Sequence, residues 1–436
     1  MTAPGLILAA PASGSGKTLI TLALLRRLRD RGVRVAAAKV GPDYIDPAFH
    51  AAASGAPCRN LDPWAMRSAT LALLIGEAGR EAELLLVEGV MGLFDGAGDG
   101  RGSTADLAAF AGWPVVLIVD AAGQGASAAA LAQGFRDFRA DVAVAGIIFN
   151  RVAGEAHAAI LRRAVEPLGL PVLGCLPRAP ALALPSRHLG LVQAREHADL
   201  DGLIDRAAAW AAVLDLDALQ ALARPSRVAG AAQGPAPPLP PLGQRIALAG
   251  DDAFAFAYPH VIEAWRGQGA ELLPFSPLAD EAPDTAADAV YLPGGYPELQ
   301  AGRLAANARF LKGLRDAAAR GAVLYGECGG YMALGAGLTD VDGRRHAMAG
   351  LLPVETAFTK PRLHLGYRRV TLAESGPLGA AGAAFRGHEF HYATIAREDA
   401  EAPLFTGTDS AGRALGPLGA RRGRVMGSFV HLVDRV

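Results

Sequence analysis

The first half of the chain alternates short apolar runs with segments that have helical character, and this alternation constrains the fold more than any other feature. Near-continuous apolar runs of roughly 4–8 residues, spaced by helices, are typical of a parallel sheet that is covered on both faces. The first of these helices is predicted from Lys17 to about Arg31. We therefore predict a parallel α/β domain with six strand candidates, which are Leu6–Ala10, Val33–Val40, Leu84–Val87, Val115–Val119, Ala145–Phe149 and Val172–Cys175.

A Pro-rich stretch interrupts this pattern. Residues 224–244 include the run GPAPPLPPLG, which cannot propagate a helix or a central strand. The α/β alternation then restarts, with strand candidates at Arg245–Ala249, Ala289–Leu292 and Val323–Tyr325. A long loop within one domain is the alternative, but structureless loops of this length are uncommon. We predict two α/β domains, 1–223 and 245–436, joined by a linker at 224–244.

Composition and charge exclude several classes of protein. The 436 residues are 51% hydrophobic and 19% charged, which suits two folded domains. The net charge of −1 gives no electrostatic footprint for nucleic acid or for an anionic membrane. Three widely spaced cysteines offer neither a zinc site nor a disulfide framework, and we find no signal peptide or membrane-spanning run. We expect a cytoplasmic protein with no nucleic-acid or membrane partner. A homodimer is compatible with the sequence, which does not set the oligomeric state.

A loop rich in glycine and serine joins the first predicted strand to the first helix. Its sequence is Ser13-Gly14-Ser15-Gly16-Lys17-Thr18. In such a loop the backbone N–H groups converge on phosphate oxygens, the lysine reaches the β- and γ-phosphates, and the threonine hydroxyl can bind Mg²⁺. The match is imperfect because Pro11 stands where the leading glycine is usual, and a surface turn is the alternative. We predict that residues 13–18 bind ATP.

Acidic residues follow the second and third strands of the predicted sheet. Asp43 and Asp46 come after the second strand, while Glu88 and Asp95 come after the third. The carboxyl ends of parallel strands meet at one edge of a sheet, where carboxylates can hold Mg²⁺ against ATP phosphates. We predict Thr18, Asp43 and Glu88 as Mg²⁺ ligands, and Asp46 and Asp95 as substrate contacts. Ordinary solvated loop acids are the alternative.

Three further polar residues have two interpretations each. Ser103 and Thr104 could supply hydroxyl contacts to phosphate or substrate, or they could cap a helix. Asn150 ends an apolar strand, and it could bind an adenine edge or serve as a turn residue. We predict substrate contacts for Ser103 and Thr104 and an ATP contact for Asn150.

The sharpest signal in the chain is a cysteine in a glycine-rich turn. Gly326-Glu327-Cys328-Gly329-Gly330 follows a strand and precedes a helix, which is the cysteine form of a nucleophile elbow. We expect the start of the helix to lower the pKa of the Cys328 thiol towards the reactive thiolate. A buried, inert cysteine is the alternative.

A thiol nucleophile needs a base and a site for the oxyanion. His431, His388 and His391 are rival candidates for the base, and the pattern of residues does not choose among them. Gly294 and Gly295 follow a predicted strand and, with Gly329, are candidates to present backbone N–H groups as an oxyanion hole.

Together these motifs resemble the cobyrinic acid a,c-diamide synthase family, including its branch that uses hydrogenobyrinic acid. The first half resembles dethiobiotin-synthetase-like P-loop proteins, and the second half resembles class I glutamine amidotransferase domains. The resemblance covers nearly the whole chain, through the segments Ala10–Thr18, Lys39–Pro47, Glu88–Gly96, Leu292–Glu298, Gly326–Gly330, Gly387–Tyr392 and Gly427–Leu432.

The resemblance implies the chemistry. Cys328 would attack the amide of glutamine with His431 as base, and ATP would phosphorylate a carboxylate of a corrinoid precursor. Ammonia would then attack the acyl phosphate, at the a and c side chains in turn. Tyr44 and Ile45 lie where the family contacts its substrate. Most class I domains carry a glutamate two residues after the histidine, but Val433 stands there in this chain, so the acidic partner is missing or comes from elsewhere.

Three other activities compete with this interpretation. Within the ligases these are cobyric acid synthase, which the chain length and the segment GPDYIDP disfavour, and a nickel-sirohydrochlorin a,c-diamide synthase. From another class, ParA/MinD-like ATPase switches carry a similar loop, but they have a second lysine near its start, where this chain has Ala10 and Pro11. A degenerate glutaminase that only binds its ligand is a further alternative.

Overall fold

A computed structural model of the chain describes residues 2–187, 190–228, 236–398 and 402–436. The chain divides into two units, Met1–Pro235 and Ala236–Val436. The predicted linker spans this boundary, and its residues 229–235 lie outside the described residues, so the linker bounds stay a prediction. No helix in the described part of the chain is both long and apolar enough to cross a membrane.

Unit 1 is built on a seven-stranded parallel sheet with the strand order β3-β2-β4-β1-β5-β6-β7. Its central strands are buried along their whole length and are apolar apart from Lys39 in β2 and Glu88 in β4. The strands are β1 (Gly5–Ala9), β2 (Val35–Val40), β3 (Cys58–Leu61), β4 (Leu84–Glu88), β5 (Val115–Asp120), β6 (Val144–Val152) and β7 (Val172–Pro177), followed by the short pair β8 (Ser186–Arg187) and β9 (Gly190–Leu191).

Eight α-helices accompany this sheet in the described residues. The first begins at Lys17, directly after a glycine at φ 94°, and ends at Asp30. Arg27 and Arg29 lie in its last turn, where positive charges interact favourably with the helix dipole. The helices are α1 (Lys17–Asp30), α2 (Asp46–Ser54), α3 (Ser68–Ala78), α4 (Thr104–Ala111), α5 (Ser127–Asp137), α6 (Glu155–Val165), α7 (Leu200–Trp210) and α8 (Leu216–Leu222).

The strand order places a topological switch point at β1. The chain passes from β1 to β2 on one side of the sheet and returns through β4, and it later continues through β5 to the other side. Ligands of such sheets bind at the carboxyl ends of the strands beside the switch point. The loop 13–18 and the residues Lys39 and Glu88, which are register partners across β2 and β4, all lie there.

Unit 2 has a six-stranded sheet with the order β11-β10-β12-β13-β23-β22 at its centre. A five-stranded antiparallel sheet, β21-β20-β17-β18-β24, and a four-stranded sheet, β15-β14-β16-β19, complete it. The strands are β10 (Arg245–Ala249), β11 (Glu271–Phe275), β12 (Ala289–Leu292), β13 (Val323–Glu327), β14 (Gly337–Thr339), β15 (Arg345–Ala347), β16 (Val354–Ala357), β17 (His364–Leu372), β18 (Ala384–His391), β19 (Thr394–Glu398), β20 (Phe405–Asp409), β21 (Ala414–Leu418), β22 (Ala420–Arg422), β23 (Val425–Ser428) and β24 (His431–Arg435).

Four α-helices pack in unit 2, namely α9 (Pro259–Gly267), α10 (Ala301–Ala306), α11 (Ala308–Ala319) and α12 (Gly329–Leu334). Strand β13 leads directly through Cys328 into α12, as the sequence predicts. The antiparallel sheet brings β18 beside β24, with His388 and His431 as register partners. The centre of unit 2 thus gathers the cysteine turn and the three candidate histidines around a buried core.

Candidate active sites

The loop between β1 and α1 has the backbone of a phosphate-binding loop. Gly14 and Gly16 have φ values of 78° and 94°, which favour glycine. A Cβ atom at Gly16 would lie 2.3 Å from Nδ2 of Asn150, which donates a hydrogen bond to the carbonyl of Ser15 at 2.9 Å. Asn150 therefore stabilises the loop backbone through this hydrogen bond. Its contact with adenine stays a prediction.

Lys17 is buried at the start of α1 and is held by backbone carbonyls. Its Nζ atom donates to the carbonyl oxygens of Met91, at 2.6 Å, and of Ala12, at 3.4 Å. Burial lowers the pKa of Lys17 to about 8, although the Glu88 carboxylate opposes this shift. Met91 itself has φ 49°, a conformation that a side chain other than glycine rarely adopts. Such strain is concentrated at functional sites, and here it points the Met91 carbonyl at the lysine.

Glu88 is the centre of a buried polar group at the ends of β2 and β4. Its Oε1 accepts hydrogen bonds from Thr18 Oγ1 and from Lys39 Nζ, both at 2.8 Å, and its Oε2 lies 2.6 Å from His50 Nε2. Lys39 also contacts Asp46 Oδ2 at 2.6 Å, which lies 3.4 Å from the Thr18 hydroxyl. The structure thus brings together Thr18, Glu88 and Asp46 from the predicted set, and adds Lys39 and His50.

The ionisation of this group follows from its pairing. Burial alone would lower the pKa of His50, but the Glu88 carboxylate raises it to about 10, so the ring is an imidazolium at neutral pH. Burial alone would raise the pKa of Glu88, but Lys39 and His50 hold it well below its usual range. Burial and the nearby Asp43 raise the pKa of Asp46 to about 6, although Lys39 and, to a smaller extent, His50 oppose this rise. The two carboxylates differ because Lys39 and His50 both contact Glu88 directly, whereas Lys39 is the cation that contacts Asp46.

The remaining predicted residues of unit 1 make local hydrogen bonds. Asp43 Oδ1 accepts from the backbone N–H groups of Ile45 and Asp46, at 2.8 and 3.1 Å, and so shapes the start of α2. Ile45 is buried, whereas Tyr44 is half-buried. Asp95 Oδ2 accepts from the Gly92 N–H at 2.8 Å. The roles of Asp43 with Mg²⁺, and of Tyr44, Ile45 and Asp95 with substrate, stay predictions.

Ser103 and Thr104 are engaged at the start of α4. Ser103 caps the helix, since its side chain accepts from the Asp106 N–H at 3.1 Å while the Asp106 carboxylate accepts from the Ser103 N–H. Thr104 Oγ1 accepts from the Val90 N–H at 3.0 Å and lies 3.2 Å from the Val90 carbonyl oxygen. The helix-cap interpretation thus describes Ser103, and a substrate role for either hydroxyl stays a prediction.

Unit 1 also fits a magnesium ion by its donor chemistry. Thr18, Glu88 and Asp46 offer hydroxyl and carboxylate oxygens, the ligands that Mg²⁺ prefers. Among the described residues no group of three or more His, Cys, Asp or Glu side chains is placed to hold a metal. This composition suits Mg²⁺ that is coordinated partly by nucleotide phosphates and only in part by the protein.

In unit 2, Cys328 occupies a strained turn between β13 and α12. Its backbone has φ 47° and ψ −101°, and its N–H donates to the carbonyl of Ser428 at 2.8 Å. The turn packs closely on the loop after β12, because a Cβ at Gly329 would lie 3.1 Å from the Gly295 nitrogen and one at Gly330 only 1.9 Å from the Leu292 oxygen. The glycines after the cysteine are therefore required by close contact with this loop.

The expected lowering of the Cys328 pKa is wrong for this structure. Burial raises the pKa of the thiol well above its usual range, and the nearby Glu298, Glu327 and Glu389 carboxylates add to the rise, while the Gly329 N–H opposes it. The prediction failed because it counted only the start of the helix. In a buried site beside several carboxylates the neutral thiol is the resting form, so Cys328 would need a base before it could act as the predicted nucleophile.

The three candidate histidines have different surroundings in the structure. A Cβ at Gly294 would lie 2.3 Å from Cε1 of His431, so the ring packs on the same loop that the cysteine turn contacts. His388 stacks against His431 with ring centroids 5.1 Å apart, and its Nε2 lies 2.8 Å from the Tyr258 hydroxyl. His391 Nδ1 lies 3.0 Å from the carbonyl oxygen of Ala393. The catalytic role of His431, and the oxyanion hole of Gly294, Gly295 and Gly329, remain predictions.

The two units match two family models. Residues 6–192 match a CobQ/CobB/MinD/ParA nucleotide-binding domain, and residues 245–434 match a CobB/CobQ-like glutamine amidotransferase domain. A protein of Brucella anthropi named hydrogenobyrinate a,c-diamide synthase is 56% identical over 435 residues, covering 99% of this chain and 98% of that protein. A Rhodobacter capsulatus protein of the same name is 54% identical over 439 residues, covering 98% of each.

The chain belongs to the hydrogenobyrinate a,c-diamide synthase family. Its nucleotide-binding and amidotransferase domains make it a glutamine-dependent, amide-forming ligase with a nucleotide substrate. The predicted family, fold class and enzyme class are therefore confirmed. Membership speaks against the ParA/MinD-like switch, because the match to diamide synthases spans both domains.

Sequence reasoning assigned no role to several residues of both sites. In unit 1 these are Lys39 and His50, and in unit 2 the chief one is Glu327, which lies beside His431. A signal existed for Lys39, because a lysine in the otherwise apolar strand VAAAKV requires a buried anion. His50 follows Asp46 by four residues on α2, and therefore lies on the same helix face.

Proposed function

We propose that the chain is a hydrogenobyrinate a,c-diamide synthase of cobalamin biosynthesis. The observation that carries the proposal is the identity of 56% with a protein of that name over 99% of the chain, which includes both sites. The substrate would be a corrinoid precursor with free a and c carboxylates, together with ATP and glutamine. The choice of the cobalt-free macrocycle rests on the names of the relatives.

In unit 1 the proposed reaction activates a carboxylate. A substrate carboxylate oxygen attacks the γ-phosphorus of ATP, the bond from that phosphorus to the β,γ-bridging oxygen breaks, and ADP leaves an acyl phosphate behind. Ammonia then attacks the acyl carbon, the carbon–oxygen bond to phosphate breaks, and the amide forms with loss of a proton and phosphate. Two such rounds give the diamide.

The residues of unit 1 suit binding and charge compensation in these steps. Lys17 and the loop N–H groups would bind the phosphates, since Gly14 and Gly16 have positive φ values and Lys17 begins α1. Thr18 and Glu88, with Asp43 or Asp46, would hold Mg²⁺, which neutralises phosphate charge when bound. Lys39 and His50 keep Glu88 ionised and fixed for that role.

In unit 2 the proposed reaction releases ammonia from glutamine. His431 takes the proton of the Cys328 thiol, and the sulfur attacks the amide carbon, so that a carbon–sulfur bond forms and the oxygen takes the negative charge. The backbone N–H groups of Gly295 and Gly329 would stabilise that oxyanion. The carbon–nitrogen bond breaks as the imidazolium returns its proton to the leaving nitrogen, and water then hydrolyses the thioester to glutamate.

Product analysis tests the proposed substrate. The purified protein is incubated with ATP, Mg²⁺, glutamine and hydrogenobyrinic acid, and the product mass is followed with time. We expect two successive mass changes, each equal to the exchange of one hydroxyl group for one amino group, and ADP formed in proportion. Cobyrinic acid in a parallel reaction separates the cobalt-containing from the cobalt-free substrate. An unchanged mass for both acids, with ATP and glutamine still consumed, would contradict the corrinoid assignment.

A further inference from the structure

Glu327 is a buried carboxylate that the proposed glutaminase steps do not yet use. It ends β13, directly before Cys328, and is only 2% exposed. Its Oε2 accepts a hydrogen bond from the Tyr291 hydroxyl at 2.8 Å, and its Oε1 accepts from the Tyr325 hydroxyl at 2.9 Å and from the Leu432 N–H at 3.1 Å. Three donors fix the carboxylate in one orientation.

In this orientation the Glu327 carboxylate faces His431. Oε2 of Glu327 lies 3.9 Å from Nδ1 of His431, and both side chains are almost fully buried. Oε1 of Glu327 accepts a hydrogen bond from the N–H of Leu432, the residue after His431. The same carboxylate therefore fixes the backbone beside the histidine and faces its ring. The ring is confined elsewhere by Gly294 and by the stacked ring of His388.

We propose that Glu327 is the positioning residue that orients His431 and stabilises the imidazolium formed when the ring takes the Cys328 proton. This inference rests on the proposed roles of Cys328 and His431. With Nδ1 turned towards Glu327, Nε2 is the nitrogen left to receive the thiol proton, which is the logic of an acid–histidine–nucleophile triad. The acidic partner that is absent at Val433 is thus supplied from the strand that carries the nucleophile.

The pH dependence follows from the surroundings of this pair. Burial raises the pKa of Glu327 to about 7, and the hydrogen bonds from Leu432, Tyr291 and Tyr325 oppose the rise. Burial lowers the pKa of His431 well below its usual range. The other titratable or charged groups that face the pair, directly or through these partners, are Tyr258, Glu298, Cys328, Arg368, His388, Glu389 and His391. Activity with glutamine should therefore fall on the acid side as Glu327 takes a proton and loses its charge.

Two substitutions that should shift the acid limb of the pH profile in opposite directions test the proposal in the full-length protein. Glu327→Gln keeps an oxygen for the Leu432 N–H but removes the charge, so glutaminase kcat/KM should fall about 100-fold or more, and the acid limb of its pH profile should move to lower pH. Tyr291→Phe removes a donor that stabilises the ionised carboxylate, so the acid limb should move to higher pH. Asp434→Asn removes a buried carboxylate on the other face of β24 and should leave the limb in place.

The outcomes separate a positioning role from a structural one. A fall in activity with no shift of the acid limb in either variant would overturn the proposal, as would wild-type kinetics for Glu327→Gln. Amidation with added ammonia reports whether each variant is folded, and if Glu327→Gln is not, the shift in Tyr291→Phe alone decides. A Cys328→Ser variant that still releases ammonia from glutamine would refute the proposed nucleophile, whatever the behaviour of Glu327.

Discussion

Replacing Lys39 by methionine tests the electrostatics of unit 1. Lys39 joins Asp46 and Glu88 at 2.6 and 2.8 Å, and its side chain is only 4% exposed. The methionine has a similar length but no charge, so Glu88 would keep His50 as a cationic partner and Asp46 would lose the cation that contacts it directly. Removing one partner of a buried ion pair leaves an uncompensated charge, which costs about 3–5 kcal/mol of the free energy of unfolding.

The pH adds a second, independent check. Asp46 already has a pKa of about 6, raised by burial and by Asp43, and the loss of Lys39 would raise it further. A carboxyl whose pKa is higher in the folded state than in the unfolded chain lowers stability as the pH rises between the two values. The destabilisation in Lys39→Met should therefore be smaller near pH 5 than near pH 8, because protonation of Asp46 relieves it.

Lys312→Met is the matched control. Lys312 contacts Asp316 at 2.6 Å, the same distance as the Lys39–Asp46 pair, but the Lys312 side chain is 73% exposed. Exposed pairs of this kind contribute about 0.3–0.5 kcal/mol. Urea unfolding followed by hydrogen–deuterium exchange mass spectrometry reads the two units separately, since peptides from β2 and β4 report unit 1 and peptides from α11 report unit 2. A loss in Lys39→Met no larger than that in Lys312→Met would refute the reasoning.

Two further predictions concern Gly294, in the loop after β12, and Lys17, in the loop between β1 and α1. Gly294→Ala places a methyl group 2.3 Å from Cε1 of His431 and should lower the glutamine-dependent rate about 100-fold. Gly267→Ala is the control, because its methyl group would meet no atom within 4 Å, and it should leave the rate unchanged. Equal steady-state rates for the two variants would contradict the packing of His431 against Gly294. Burial lowers the pKa of Lys17 to about 8, so the affinity of the wild type for ATP, measured by calorimetry, should fall as the pH rises through that value. Lys17→Met should bind ATP weakly and with little pH dependence. A wild-type affinity that does not change with pH would contradict the proposed contact between Lys17 and ATP.

The central parallel strands of both units could be predicted because they are buried on both faces. Arg245–Ala249 and Ala289–Leu292 were predicted with the bounds that the structure has, since each is an apolar run between polar segments. The edge strand β3 (Cys58–Leu61) was missed, because its sequence CRNL is half polar. Strands of the antiparallel sheet such as β17 (His364–Leu372) were missed for the same reason, as one side of the strand stays exposed and weakens the apolar signal.

The candidate sites could be predicted only where a residue belongs to a local motif. Cys328 and Lys17 could be recognised from the glycines beside them in sequence, which allow a left-handed backbone before Lys17 and close packing after Cys328. The partners of Glu88 arise from three separate segments, and only the sheet register makes Lys39 its neighbour. The pKa of Cys328 was predicted in the wrong direction because burial, which the sequence does not display, outweighs the effect of the helix, and nearby carboxylates add to the rise.

The central claim is that one chain carries two chemistries, with ammonia made at Cys328 and amide made in unit 1. The most direct test compares wild-type protein and Cys328→Ala for amidation of hydrogenobyrinic acid with ATP and Mg²⁺, each supplied with either glutamine or ammonia. We predict that the wild type uses both nitrogen sources and that the variant uses only ammonia. A variant that still uses glutamine, or a folded variant that uses neither source, would contradict the claim.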